Sequence, residues 1–190
     1  MKGRIVLASA SPRRKYLLEE AGFEVVCVIS GADELEDHTF TPAELALENA
    51  ARKARAVAHQ FPDETVIAAD TVVWMDGRFF GKPTDREDAL RMLLELSGRT
   101  HEVVTGVVIH GPGAPSHAFA ECSRVSFHPL AAAALGTYLD TIHPLDKAGA
   151  YAAQDDNGRI IRAIDGSLTN VIGLPMERLI EALAMAPAAR

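Results

Sequence analysis

The chain opens on an apolar run, Ile5-Val6-Leu7-Ala8, which predicts a short buried strand over 4–8 followed by a turn at Ser9-Ala10. Ser11 can cap a helix with Pro12 at its first position, and Gly22 can end it. Glu24 to Ile29 reads as a second strand, and the polar stretch from Gly31 to Phe40 as a loop. Thr41-Pro42-Ala43-Glu44 has the form of a capping box and opens a helix to about His59. Leu47, Ala50, Ala51, Ala54, Val57 and Ala58 recur at helical spacing and give that helix an apolar stripe. Thr65 to Trp74 is rich in β-branched residues and meets Asp76-Gly77, the signature of a hairpin. Thr84-Asp85-Arg86-Glu87 is a second capping box, whose helix turns Ala89, Met92, Leu93 and Leu96 inward and stops near Gly98. Two long strands, 101–110 and 117–127, are expected around Gly111-Pro112-Gly113. A short helix at 130–140, strands near 149–153 and 159–165, a helix from Pro175 and a short Ala/Pro tail complete the pattern. Hairpins and crossovers in one chain imply an α/β fold, a long mixed β-sheet flanked by helices. At 190 residues the expectation is a single domain over 1–190, built as one body or as two lobes around a central cleft.

Composition adds constraints. An apolar fraction of 48% and a charged fraction of 24% are those of an ordinary globular protein. The net charge of −7 argues against broad nucleic-acid binding, so an anionic ligand has to be met by a local cluster of Lys and Arg. Cys27 and Cys122 lie far apart and outside any C-x-x-C, as expected of two buried or half-buried thiols in a reducing compartment. No stretch approaches the roughly 18 to 20 apolar residues of a membrane span. The first apolar run is too short for a signal peptide and is cut off by Pro12-Arg13-Arg14, so no membrane association and a cytoplasmic location are expected.

Several familiar motifs fail on inspection. Gly81-Lys82-Pro83-Thr84 resembles the end of a P-loop, but Gly77 stands one residue too close and Pro83 replaces the hydroxyl that would reach magnesium. His101-Glu102 has Thr105 where a zinc protease needs its second histidine. What survives is a set of polar residues in places that need explaining. Arg13 and Arg14 sit on the first turn of a helix, where the dipole is already positive; they are either solvated or face an anion. Asp70, within Ala68-Ala69-Asp70-Thr71-Val72-Val73, puts a carboxylate inside an apolar strand; it marks a strand end or needs a partner, a metal or solvent. On this basis an isosteric amide at position 70 is expected to keep the fold and relieve a buried charge. Lys82 follows the hairpin and can return beside Asp70, while Glu34 and Lys53 are unremarkable by themselves. Asp146-Lys147-Ala148-Gly149-Ala150-Tyr151 is either a salt-bridged turn or a phosphate site.

Taken together, Leu7-Ala8-Ser9-Ala10-Ser11-Pro12-Arg13-Arg14, Glu48-Asn49-Ala50-Ala51-Arg52-Lys53-Ala54, Ala69-Asp70-Thr71-Val72-Val73, Gly81-Lys82-Pro83, Leu96-Ser97-Gly98, Asp146-Lys147-Ala148-Gly149-Ala150-Tyr151 and Gly173-Leu174-Pro175 resemble the Maf family of nucleotide pyrophosphatases over nearly the whole chain. The resemblance implies a fold like that of inosine triphosphate pyrophosphatases and cleavage of a nucleoside triphosphate between its α and β phosphates. It implies Asp70 as proton acceptor and Arg13, Thr71 and Gln154 as the positions that set base preference. Arg, Thr and Gln there match the branch acting on dTTP, UTP and modified pyrimidine nucleotides. The 7-methyl-GTP branch carries an aromatic residue at the first position and Glu at the third, which makes a purine triphosphate the runner-up substrate. A homodimer is also implied, as is an association with septum formation and cell division, so a non-enzymatic regulator is the rival class.

The chemistry suits these residues. The negative charge of a triphosphate repels an attacking hydroxide, and Ser9, Arg14, Lys53, Lys82 and Lys147, with Arg13, can bind and offset it. A divalent cation (Mg, Mn or Co) held by Glu34 or Asp70 would polarise phosphorus and activate water. Asp70 can be base or ligand. The Gln154 amide both donates and accepts, which suits the carbonyl and N–H edge of uracil or thymine.

Overall fold

The computed structural model describes residues 2–37, 39–113 and 116–185. His38 in the polar loop and the Ala/Pro tail beyond 185 lie outside the described residues. In chain order the elements are β1 (Lys2–Leu7), α1 (Pro12–Glu20), β2 (Phe23–Cys27), α2 (Pro42–Ala58), β3 (Thr65–Met75), β4 (Arg78–Phe80), α3 (Arg86–Leu96), β5 (Thr100–His110), β6 (His117–Phe127), α4 (Ala132–Leu139), β7 (Ile161–Asp165), α5 (Leu168–Ile172) and α6 (Met176–Met185). Seven strands form one mixed sheet in the order β2-β1-β3-β5-β6-β7, with β4 added to β3. β1 runs parallel to β2 and β3, and the remaining pairs are antiparallel. This is the expected helix-flanked mixed sheet.

Local chemistry explains most boundaries. Ser11 caps α1 by accepting from the Arg14 N–H, and Pro12 follows it. Both halves of the Thr41–Glu44 capping box are formed at the start of α2. The second expected box is displaced by one residue. Asp85 caps α3 by accepting from the Asp88 N–H, and Asp88 reaches back to the N–H of Thr84. The expected strand near 149–153 is absent from the sheet: Ala148–Ala150 and Ala153–Asp155 are single 3-10 turns. Gly149 and Ala150 both have positive φ there (70° and 62°), which no strand accommodates. The short helix α5 was not read from the sequence. Cys27 and Cys122, expected to be buried or half-buried, are both free and exposed.

The period of two along β3 sorts its side chains. Val66 and Ala68 pack with Ala50, Ala54 and Val57 of α2, whereas Ile67 and Ala69 pack with Leu18 of α1 and Leu179 of α6. A separate apolar cluster at the far end joins Val73 and Met75 to Met92, Leu93 and Leu96 of α3 and Leu135 of α4. Asp70 and Thr71 fall between these cores. The same interval is an interruption in strand pairing: β1 stops opposite Ile67 and β4 begins opposite Val73. Among the described residues, 68–72 are therefore paired on the β5 side alone.

Candidate functional site

Asp70 continues the face of β3 that looks toward α2, and its partner across the ladder is Gly106 of β5. A Cβ at Gly106 would stand 2.5 Å from the backbone of Ala46 and Leu47, so the missing side chain lets α2 lie directly on the sheet. That approach brings two polar residues of α2, one turn apart, against the carboxylate. Lys53 Nζ donates to Asp70 Oδ1 at 2.6 Å, and Asn49 Nδ2 donates to Asp70 Oδ2 at 3.2 Å. Asp70, Lys53 and Asn49 are all buried.

The loop after β2 closes over this pair. Asn49 Oδ1 accepts the N–H of Leu35 at 2.7 Å, and its Nδ2 donates to the Leu35 carbonyl at 3.2 Å, so one amide pins the segment carrying Glu34. Glu34 Oε1 then takes a second bond from Lys53 Nζ at 2.6 Å, and Oε2 one from Lys82 at 3.4 Å. Burial alone would push the Glu34 carboxyl up, but the Lys53 hydrogen bond and charge, with Lys82 behind them, hold it below its ordinary value.

Thr71 points to the opposite face, where α1 begins. Arg14 is buried there and donates to three neutral oxygens: the Gly173 carbonyl at 2.8 Å, Ser9 Oγ at 3.2 Å and Thr71 Oγ1 at 3.0 Å. Gly173 has φ +125°, a conformation that glycine alone adopts readily, and this presents its carbonyl to the guanidinium. Thr71 Oγ1 also meets Thr105 Oγ1 at 2.9 Å, and Thr105 donates to the Asn170 carbonyl. Among the described residues no carboxylate touches Arg14. Burial lowers its pKa, the charge of Asp70 opposes that, and Arg13 adds to it. A desolvated cation with no direct counter-ion is a place for an anion.

Arg13 turns the other way. Its Nη1 donates to Asp146 Oδ2 at 2.8 Å, and Lys147 Nζ bonds Asp146 Oδ1 at 2.5 Å and the His143 carbonyl at 2.6 Å. Burial would raise the Asp146 carboxyl, but bonds from Lys147 and Arg13 bring it below its ordinary value. The N–H of Gly149 donates to the Gly81 carbonyl, tying this turn to the segment that carries Lys82. Gln154 is exposed on the 3-10 turn Ala153–Asp155 and, among the described residues, makes no hydrogen bond to the others.

Three linked groups thus emerge: Asp70 with Lys53, Glu34 and Lys82; Arg14 with Ser9 and Thr71; and Arg13 with Asp146 and Lys147. Asn49 was missed as part of the first. Its signal was available: at i and i+4, Asn49 and Lys53 lie between Leu45 and Ala46 around the helix, beside the arc marked by Ala46, Ala50, Ala54 and Val57. The expected stripe was displaced from this arc, for Leu47 and Ala51 are half-buried while Leu45, Ala46, Asn49 and Lys53 are buried.

Comparison with known proteins agrees in both sequence and fold. The profile of the family described as Maf-like protein matches residues 4–186. A dTTP/UTP pyrophosphatase of Akkermansia muciniphila is 42% identical over 179 residues, 94% of each chain. One of Pelotomaculum thermopropionicum is 44% identical over 180 residues, again 94% of each chain. Among solved structures, the Ham1 protein of Coxiella burnetii superposes with a TM-score of 0.52 at 18% identity, covering 96% of this chain and 99% of that one. The Staphylococcus aureus Ham1 protein gives 0.50 at 19% identity, covering 95% and 97%.

Proposed function

The chain belongs to the Maf family, and from that membership we propose that it is a nucleoside triphosphate pyrophosphatase acting on dTTP, UTP and modified pyrimidine nucleotides. Water adds across the α–β anhydride, and the products are the nucleoside monophosphate and pyrophosphate. The observation that carries this reading is the pairing of opposites at one point of β3: a buried carboxylate on one face, and on the other a buried arginine without a direct counter-ion among the described residues. Relatives about 42% identical over nearly the full length carry the dTTP/UTP pyrophosphatase name.

The residues present fit a divalent cation. Glu34 and Asp70 each aim a hard oxygen at the same ammonium, 2.6 Å away in both cases, so their oxygens converge on a cationic position. Two carboxylates suit a magnesium-like ion that completes its shell with water and phosphate oxygens. Such an ion, when bound, would polarise the phosphoryl group and lower the pKa of the attacking water. Asp70 would accept a proton from the attacking water, and Asn49 fixes the carboxylate's orientation by donating to Oδ2. Arg14, Lys53, Lys82, Arg13 and Lys147 offset phosphate charge, Ser9 helps to hold Arg14, and Gln154 with Arg13 and Thr71 selects the base.

The test is a panel of dTTP, UTP, 7-methyl-GTP and purine triphosphates with Mg, Mn or Co, scored for pyrophosphate. Pyrophosphate from dTTP and UTP is expected. Orthophosphate as first product, full activity in excess chelator, or preference for 7-methyl-GTP would overturn the reading. No observation favours a non-enzymatic regulator of cell division. On family grounds the reading extends to a cytoplasmic homodimer, which sedimentation checks. Among the described residues, no helix is long and apolar enough to cross a membrane.

A further inference from the structure

Lys53 occupies the point on which the two candidate metal-binding carboxylates converge. Its ammonium lies 2.6 Å from Glu34 Oε1 and 2.6 Å from Asp70 Oδ1, and its side chain is only 11% exposed. A lysine whose sole task was to bind phosphate would have no reason to be locked between two acids. Lys82 differs: among the described residues its ammonium reaches Glu34 alone, at 3.4 Å, from a side chain 56% exposed.

From this geometry we infer that Lys53 is the internal counter-ion of the metal site, competing directly with the divalent cation for Glu34 and Asp70. The inference rests on the pyrophosphatase reading and deepens it. In the resting enzyme the ammonium pairs with both carboxylates. It yields them when the cation and the nucleotide arrive together, and turns its charge to the phosphates. The coupling follows from the cost of stranding a buried charge. A cation arriving alone would leave Lys53 buried without a partner. A triphosphate alone would draw Lys53 away and leave Asp70 unpaired. Arriving together, they replace every pair they break. Asn49 stays fixed throughout, because its bonds run to the Leu35 backbone and Asp70 Oδ2, away from the contested oxygens.

The measurement is Mn²⁺ affinity without nucleotide, read from the electron paramagnetic resonance signal of free Mn²⁺. Wild type, Lys53→Met, Lys53→Gln and Lys82→Met are compared. Both Lys53 variants should bind Mn²⁺ at least about tenfold more tightly than wild type, the lower end of coupling between close buried charges. Lys82→Met should stay within about twofold, because its charge is largely solvated. The Tm of Lys53→Met should fall without metal and rise with saturating Mn²⁺ by more than that of wild type. Folding of either Lys53 variant only in the presence of Mn²⁺ would support the same conclusion. Unchanged or weaker Mn²⁺ binding in the Lys53 variants, or failure to fold even with Mn²⁺, would overturn it. Pyrophosphate release by wild type is measured in parallel. Its absence sinks the pyrophosphatase reading, whereas an active wild type with unaltered Mn²⁺ affinity in the variants sinks this inference alone.

Discussion

Replacing Asp70 by asparagine separates chemistry from structure at the site's centre. From the sequence by itself the expected effect on stability is neutral or favourable, since an amide relieves a buried charge. The structure reverses that sign. Asp70 uses both oxygens as acceptors, Oδ1 from Lys53 at 2.6 Å and Oδ2 from Asn49 at 3.2 Å. Asparagine has one oxygen. If it faces Lys53, its NH2 meets the NH2 of Asn49; if it faces Asn49, its NH2 meets an ammonium. Either way a buried donor loses its acceptor, which costs about 1–3 kcal/mol. Glu34 still holds Lys53 and limits the loss, so we expect about 2 kcal/mol. For a chain of this size that lowers Tm by roughly 4–8 °C. Loss of the proton acceptor should reduce kcat by a factor of about 10² to 10⁴. Calorimetry and a pyrophosphate-release assay on the purified variant check both numbers. A kcat within a few-fold of wild type would make the carboxylate structural. An unchanged or raised Tm would mean that the buried pair contributes nothing.

Three further perturbations test neighbouring parts of the argument. Gly106→Ala places a Cβ 2.5 Å from α2 backbone, so stability should fall by about 1–3 kcal/mol and kcat by about 10² as Lys53 and Asn49 shift; a normal kcat would disconnect α2 seating from catalysis. His101 is buried with a pKa pushed down to about 4 by desolvation, so the folded form stays neutral while the unfolded chain takes up a proton near its ordinary 6.5. Stability present above that value is therefore lost as pH falls from 6.5 to about 4, by roughly 3 kcal/mol at most; urea unfolding should show a shallower pH slope in His101→Gln, and an identical slope would refute the assignment. Gln154→Glu should lower kcat/KM for dTTP and UTP about ten- to a hundredfold and spare 7-methyl-GTP; a uniform drop across all three would remove Gln154 from base selection.

Much of the fold was legible because its signals are local. The Thr41–Glu44 box, the Pro after Ser11 and the Asp76-Gly77 turn each act within a few residues, and each forms as read. At the expected strand near 149–153 a distant contact decided. Ala148 to Ala153 has the small and aromatic residues of a strand, but Ala150 is fully buried in the α3–α4 core with positive φ, a conformation imposed by packing. Strand order is equally non-local, and nothing in the chain announces that β1 stops short of Asp70.

The site was legible as a list of residues and illegible as a set of pairs. Asp70 stood out because a carboxylate breaks an apolar strand, and Lys53 did not, because a lysine in a helix is normally solvated. Yet the two anomalies imply each other. A buried carboxylate on the face of β3 that looks toward α2 requires a cation from the layer packed on it. α2 offers one lysine inside its buried arc, Lys53, one turn after Asn49. Helical periodicity judged on apolar residues alone turns that face a little away and leaves the lysine outside. Counted with Leu45 and Ala46, Asn49 and Lys53 fall inside the buried arc of α2, one turn apart on one side of the helix. The same logic marks Arg14: when a buried charge finds only neutral oxygens among the described residues, its complement belongs to the ligand.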